Sequence, residues 1–368
     1  GKVPERDWKV LRRKNRAVKP ESFLSSRRIL ISMAKKRRSK KSQKQMKKVV
    51  SLILGLIFVI AVGFFGVESG FIGGDSSLVP LVTDEKAFSM HVIDMGQGDA
   101  LLLSKDGKYA LIDAGETMSP SERESREAIF AYLDSLGVKK LEFMLLTHQD
   151  YDHIGSAIDV LKRYDVGTVY DNGVEHTSKT YENLMLYLLE EDVNYKIVRD
   201  GDRISSPWSG VTIEVLSPPQ DLIYSGKKAD VNENSIVIKI TYGEVSYLLT
   251  GDAEDKAEEY ILSTAANIDA DILKAGHHGS SSSSTMDFLY RVTPDVVVIS
   301  CGEDNDYGHP HIEPLRNFAK FTTADKTFRT DIDGDVVVTT DGSEYSVKIR
   351  NSPHDASKIF ISGNGVKV

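Results

Sequence analysis

With 368 residues and 40% hydrophobic content, the chain has an ordinary globular composition and can bury a large core, while its single cysteine, Cys301, excludes an intrachain disulfide. The formal net charge of −8 hides a division: residues 1–48 hold 19 Lys and Arg against 3 Asp and Glu, and the other 320 residues hold 27 against 51. That is +16 followed by −24, a split expected of two compartments or two partners, and the acidic part disfavours long polyanions as ligands.

Residues 1–48 show no sustained apolar periodicity and read as a basic, mostly disordered segment, drawn to anionic lipid rather than to nucleic acid. Residues 49–67 are 19 residues without a charge, just long enough to span a bilayer as a transmembrane or signal-anchor helix. Lys47 and Lys48 precede this run and Glu68, Asp75 and Asp84 follow it, which orients the N-terminus to the cytoplasm and the acidic part outward. The competing reading is a cleaved signal peptide, with Gly66 and Ser69 near the cut. Residues 68–86, rich in Gly, Ser and Asp, read as a linker, and residues 87–368 as a single domain.

Short apolar runs punctuated by glycine predict strands at 88–94, 100–104 and 109–113. Ile129, Leu133 and Leu136 share one face of a predicted helix over 121–136, which Gly137 stops. A strand at 143–147 and a helix at 153–164 follow. The second half repeats the order: strands at 213–216, 235–242 and 245–250, a helix near 253–262, a strand at 271–274, a helix near 285–292, and strands at 295–300 and around Phe328, Val336 and Tyr345. Two successions of sheet and helix fit a mixed α/β (α+β) fold, a four-layer αββα sandwich with helices outside two packed sheets. Asp331, Asp333 and Asp335 around Gly334 mimic part of a calcium loop but read better as a hairpin turn.

Six of the nine histidines fall in three clusters at predicted strand ends. His148, Asp150, Asp152 and His153 lie within six residues after the strand at 143–147, and two imidazoles with two carboxylates suit Zn²⁺ or Mn²⁺. A polar capping loop would account for one of these carboxylates, but not for four ligand-type residues together. Asp252 ends a second strand, as a metal ligand or a helix cap, and His277 and His278 end a third. His309 and His311 form the last cluster. His91, His176 and His354 stand apart and receive no role.

These residues resemble the metallo-β-lactamase superfamily, and more narrowly the hydrolase domain of the ComEC competence proteins, over about residues 88–350. The carrying motifs are Asp94-Met-Gly-Gln-Gly-Asp99-Ala, Leu111-Ile-Asp113-Ala-Gly, Thr147-His-Gln-Asp-Tyr-Asp-His-Ile-Gly155, Asn234-Ser-Ile-Val, Leu249-Thr-Gly-Asp252, His277-His-Gly-Ser and Tyr307-Gly-His-Pro. The resemblance implies two divalent metal ions: His148 and Asp150 hold one, Asp152 and His153 the other, and Asp252 bridges them. One of His277 and His278 completes the second site, and the other is a substrate contact or acid. Asp152, His277 and His309 are the candidate catalytic residues, with His309 also open to a surface-loop role. Asp94, Gln97, Asp99, Asp113, Asn234 and Lys274 are candidate substrate contacts or supports of the ligands. Asp150 stands where many superfamily members place a second histidine, and Asn234 is the nearest polar residue to a missing third one.

The implied activity is metal-dependent hydrolysis, with phosphodiesters ranked first. The charge of −24 favours small, zwitterionic or cell-surface phosphodiesters over DNA. An extracellular DNA nuclease and a non-catalytic envelope binding module are the alternatives, and the sequence leaves oligomeric state open.

Overall fold

A computed structural model describes residues 84–116, 120–351 and 353–368. The basic segment 1–48, the apolar run 49–67 and most of the linker lie outside the described residues. Among those described, no helix is long and apolar enough to cross a membrane.

Two sheets face each other. The first runs, edge to edge, Tyr345–Ile349, Val336–Thr340, Phe88–Val92, Leu101–Lys105, Lys108–Ile112, Phe143–Leu146, Val169–Asp171 and Tyr195–Ile197. The second runs Thr327–Arg329, Val296–Ile299, Ile272–Lys274, Val245–Leu249, Val237–Tyr242 and Val211–Ser217. Their strands are apolar almost throughout because both faces are covered, as the period-2 alternation of side chains requires. Leu101, Leu103, Ala110, Ile112, Phe143 and Leu145 point into the space between the sheets, against Ile238, Ile240, Tyr247, Leu249, Ile272 and Val298. Their neighbours Leu102, Leu111, Met144 and Leu146 point outward, where Ile129 and Leu133 of the helix Pro120–Ser135 and Leu184 and Leu188 of the helix Lys179–Glu190 cover them. On the other sheet Leu248, Leu273 and Val297 meet Ala257 and Ile261 of the helix Asp255–Ser263, Phe288 and Leu289 of Met286–Val292, and Leu315 of Ile312–Phe318. Three apolar layers between four structural ones make the αββα sandwich.

Each sheet is antiparallel on one side and parallel on the other. Lys108–Ile112, Phe143–Leu146, Val169–Asp171 and Tyr195–Ile197 run parallel in the first sheet, and Val245–Leu249, Ile272–Lys274, Val296–Ile299 and Thr327–Arg329 in the second. Parallel strands end on one side of a sheet, where ligands of α/β folds collect. The chain segments that follow Ile112, Leu146, Leu249 and Lys274 carry Asp113, His148, Asp252 and His277.

Three expectations change. The helix expected over 153–164 is a single turn, Tyr151–Ile154, followed by Ala157–Arg163. Between them Gly155 lets the Gly115 backbone approach so closely that a Cβ would lie 2.5 Å from the Gly115 carbonyl oxygen. Residues 165–210, for which no element was expected, contain two three-residue strands and the helix Lys179–Glu190, whose Ser178 accepts a capping bond from the Tyr181 amide at 3.2 Å. The segment around Gly334 is no hairpin. Thr330–Asp333 is a helical turn that carries the chain from Thr327–Arg329 of the second sheet to Val336–Thr340 of the first, and Asp333 and Asp335 accept the Arg329 and Asp94 amides at 2.8 Å each.

Candidate metal centre

The strand Phe143–Leu146 delivers Thr147 and His148 to the edge of the sandwich, and the turn Tyr151–Ile154 adds Asp152 and His153. Asp113, in the left-handed region at φ 57°, accepts the Thr147 amide at 2.7 Å on Oδ1. Its Oδ2 accepts the Thr147 hydroxyl at 2.7 Å and faces His153 Nδ1 at 2.8 Å. An ionised carboxylate only accepts, so His153 Nδ1 carries the proton and Nε2 keeps its lone pair. The Thr147 hydroxyl donates to Asp113, so at 3.1 Å it accepts from His148 Nδ1. The Ser300 carbonyl, 3.0 Å from His278 Nδ1, imposes the same arrangement there. Three imidazoles thus hold their Nδ1 in hydrogen bonds and aim Nε2 at one space, where each can ligate a metal once any Nε2 proton leaves.

Asp252 lies in that space, 2% exposed. Its Oδ1 is 3.2 Å from His153 Nε2, and its Oδ2 is 3.5 Å from His278 Nε2, 3.6 Å from His277 Nε2 and 3.9 Å from His148 Nε2. Asp152 Oδ2 is 3.3 Å from His278 Nε2 and 3.9 Å from His153 Nε2, while Asp150 Oδ2 is 3.7 Å from His148 Nε2. Ligand atoms of Asp152, His153, Asp252 and His278 all lie within 4.8 Å of one another. Nε2 of His148, His153 and His278 and Oδ1 of Asp252 are buried with no hydrogen-bond partner among the described residues. Buried polar atoms left this way are costly unless a cation satisfies them, so the residues present fit divalent metal.

Electrostatics points the same way. Burial alone would lower the pKa of His278, but Asp252 and Asp152 push it up to about 10. His153 is raised well above the usual imidazole range by Asp252, Asp113 and Asp152, against the effect of burial. Burial would raise Asp252, yet His153 and His278 hold it well below the usual carboxylate range. The carboxylates demand positive charge, which protons or metal ions can supply. His148, by contrast, is pushed down to about 3 by burial and by His153, so it is a neutral imidazole ready to ligate.

The remaining expected residues divide. Asp150, its side chain 43% exposed, stands at the rim, and burial, then Asp152, raises its pKa. His309 packs against both His277 and His278, with ring centroids at 5.5 and 6.1 Å, and against Tyr307 at 5.6 Å. Asp99 and Lys274 form a buried ion pair at 2.8 Å, each side chain 1% exposed, so Lys274 braces the site from behind and is not a substrate contact. Asp94 and Gln97 hold the adjoining loop: Asp94 accepts the Gly96 amide at 3.3 Å and Gln97 the Gly302 amide at 3.2 Å. Asn234 is turned away from the centre. Its amide oxygen accepts the Ile223 amide at 2.9 Å and its NH₂ donates to the Ile223 and Asp230 carbonyls, so it stands in for no missing histidine.

Other contributors went unread in the sequence. Glu254 Oε1 lies 3.0 Å from His277 Nδ1; its position two residues beyond Asp252 was the available signal. Gln149, between two ligand candidates, donates to Asp171 at 3.0 Å and to Asn172, and Asn172 in turn donates to the Thr147 and Asn234 carbonyls at 3.2 and 2.8 Å. This buried network ties the metal loop to the strand beside it. The three histidines without a role are held structurally: His91 lies 2.8 Å from both the Tyr132 hydroxyl and Ser104 Oγ, His176 bonds Ser178, and His354 bonds Asp333.

An αββα sandwich with clustered imidazoles and carboxylates at its convergent strand ends defines a metal-dependent hydrolase fold. Residues 93–303 match the metallo-β-lactamase superfamily model, and the chain belongs to that superfamily. It is 32% identical over 272 residues to ComE operon protein 3 of Bacillus subtilis, covering 70% of this chain and 34% of that protein. It is 33% identical over 237 residues to Recombination protein 2 of Haemophilus influenzae, covering 64% and 27%. The chain therefore spans only about a third of the length of these relatives. Among solved structures it is similar to the metallo-β-lactamase fold protein YhfI of Bacillus subtilis, at 13% identity and a TM-score of 0.41 over 66% of this chain and 95% of that one.

Proposed function

We propose that this chain is a metal-dependent phosphodiesterase that acts on small or cell-surface phosphodiesters, anchored to the membrane through residues 49–67 with its acidic domain outside the cytoplasm. The observation that carries the catalytic reading is the set of four buried ligand atoms lacking hydrogen-bond partners among the described residues, at His148, His153, Asp252 and His278. When bound, two divalent ions, Zn²⁺ or Mn²⁺, supply acidification of water toward neutral pH and stabilisation of charge on the attacked group. The protein's own part is positional. Asp113, Thr147 and the Ser300 carbonyl fix the imidazole tautomers, and the Asp99–Lys274 pair supports His278 from behind, Asp99 Oδ1 lying 3.6 Å from its Nδ1. His309, pushed down to about 3 by burial and the neighbouring histidines, is a neutral imidazole at pH 7. It can donate an N–H hydrogen bond to substrate.

The substrate reading follows from charge. With Lys274 buried and paired, the core motifs offer no free cation to a long polyanion, and the 320 residues after Lys48 sum to −24. DNA cleavage is the second reading, favoured by relatives named as recombination and competence proteins. The test is hydrolysis by the full chain in detergent of bis-p-nitrophenyl phosphate, a choline phosphoester, and short and long DNA at several salt concentrations, with Asp252→Ala as control. Small esters should be cleaved at rates insensitive to salt. Cleavage of DNA alone, weakening steeply with salt, would establish the second reading; no cleavage of any substrate by the metal-loaded protein would leave a binding module. Protection of a C-terminal tag from protease added outside intact cells would refute the proposed orientation.

A further inference from the structure

We infer that His277 and His278 serve different metal ions: His278 belongs with Asp152 and His153, whereas His277 supplies the second imidazole of the ion held by His148 and Asp150, with Glu254 as the carboxylate behind it. The inference rests on the metal-dependent reading above.

Without His277 the first ion would have one imidazole and the carboxylate oxygens of Asp252 and the half-exposed Asp150. Asn234 adds nothing, because its amide is spent on the loop backbone. The backbone at the paired histidines is unusual. Both residues lie in the left-handed region, at φ 46° and 54°, where residues other than glycine are seldom found. This turn sets the two rings 71° apart with centroids 6.1 Å from each other, yet brings both Nε2 atoms to Asp252 Oδ2, at 3.6 and 3.5 Å. From that shared oxygen they diverge: His278 Nε2 is also 3.3 Å from Asp152 Oδ2, while His277 shares the oxygen with His148 Nε2 at 3.9 Å. Donors bonded at about 2.0–2.1 Å to one tetrahedral ion lie roughly 3.3 Å apart, so the spacings of both histidines to the carboxylates are within a few tenths of an ångström of ligation, and His148, at 3.9 Å, has farther to close.

The far side of His277 completes the pattern. Its Nδ1 lies 3.0 Å from Glu254 Oε1, and that oxygen also accepts Ser282 Oγ at 3.0 Å. A carboxylate on one imidazole nitrogen, leaving the other aimed at a shared acidic oxygen, is how metal-ligating histidines are oriented. His153 shows the same arrangement with Asp113.

The experiment uses metal-free full-length protein in detergent, titrated with Zn²⁺ and with Mn²⁺, and elemental analysis after equilibrium dialysis. Parent protein should hold two equivalents. His277→Ala should keep one with parental affinity and bind the other at least 100-fold more weakly, and His278→Ala should weaken the opposite one. Glu254→Gln should weaken only the equivalent lost in His277→Ala, by about 10- to 100-fold. In Co²⁺-loaded protein, His277→Ala should remove one component of the visible absorption and leave the other unshifted. Two equivalents of parental affinity in His277→Ala, or loss of both with the circular dichroism unchanged, would overturn the assignment. Should His277→Ala not fold, Glu254→Gln decides alone, and unchanged affinity there rejects the assignment. Parent protein that binds two ions but cleaves no phosphodiester overturns the proposed function and leaves this inference standing; parent protein that binds only one ion overturns the inference.

Discussion

Replacing Asp113 by Asn tests whether the carboxylate behind His153 sets the metal site. In the parent, one oxygen takes the Thr147 amide at 2.7 Å, and the other takes both the Thr147 hydroxyl and His153 Nδ1. Asparagine has one acceptor where aspartate has two. If its oxygen stays on the Thr147 amide, its NH₂ faces His153, which must then accept at Nδ1 and move its proton to Nε2, the atom 3.2 Å from Asp252 Oδ1. That nitrogen then has no lone pair for a metal. If the side chain flips, its NH₂ opposes the Thr147 N–H, and an unpaired buried donor costs about 1–3 kcal/mol. The variant should therefore lose roughly 10- to 100-fold in metal affinity, about 1.4–2.7 kcal/mol, or lose a similar amount of folding stability. Competition against a chromophoric chelator measures the first, and urea unfolding in chelator measures the second. Parental values in both assays would refute the tautomer argument.

Three further outcomes are expected. Lys274→Met strips the partner from buried Asp99 and should destabilise the protein by roughly 3–5 kcal/mol in urea unfolding; the double variant with Asp99→Asn should recover most of that, and a single-variant loss under about 1 kcal/mol would contradict the ion pair. His91 has its pKa lowered from 6.5 to about 3 by burial. Because the folded value is depressed, its stability contribution is complete above pH 6.5 and is lost as pH falls toward about 3, so His91 by itself should take about 2 kcal/mol from the unfolding free energy between pH 7 and pH 5. In chelator, that drop should be smaller in His91→Gln, and equal drops would show that His91 does not titrate as described. Asp171 accepts Gln149 and, at 2.7 Å, the Tyr195 hydroxyl, so Asp171→Leu should cost about 1–3 kcal/mol and weaken metal binding at the His148 side; isothermal titration showing neither change would detach this network from the site.

The sequence by itself determined much of the framework. Runs such as 100–104 and 143–147 are apolar at every position or nearly so, as strands covered on both faces are, and their order fitted two sheets with helices outside, though periodicity alone gave only a mixed α and β fold. The ligand candidates were legible because strand ends concentrate them: four lie within seven residues after Leu146, and the paired histidines follow Lys274 closely. Local spacing could not reach further. Val169–Asp171 and Tyr195–Ile197 are three residues each, too short for a periodic signal, whereas the helix Lys179–Glu190 carried a readable one in Tyr181, Leu184 and Leu188. Only the tertiary structure decided what each charged group meets. Lys274, open in the sequence to a role as substrate contact or as support of the ligands, is neutralised by Asp99, 175 positions away in the chain, because the stacked sheets bring their loops together. Asn234, placed near the missing third histidine by motif order, is claimed by its own loop, since buried amide groups must be satisfied and nearby carbonyls do so first. Imidazole tautomers follow the same rule. Whether Nδ1 or Nε2 faces the metal depends on Asp113, Thr147 and the Ser300 carbonyl, and which acceptor lies behind a ring is a property of packing.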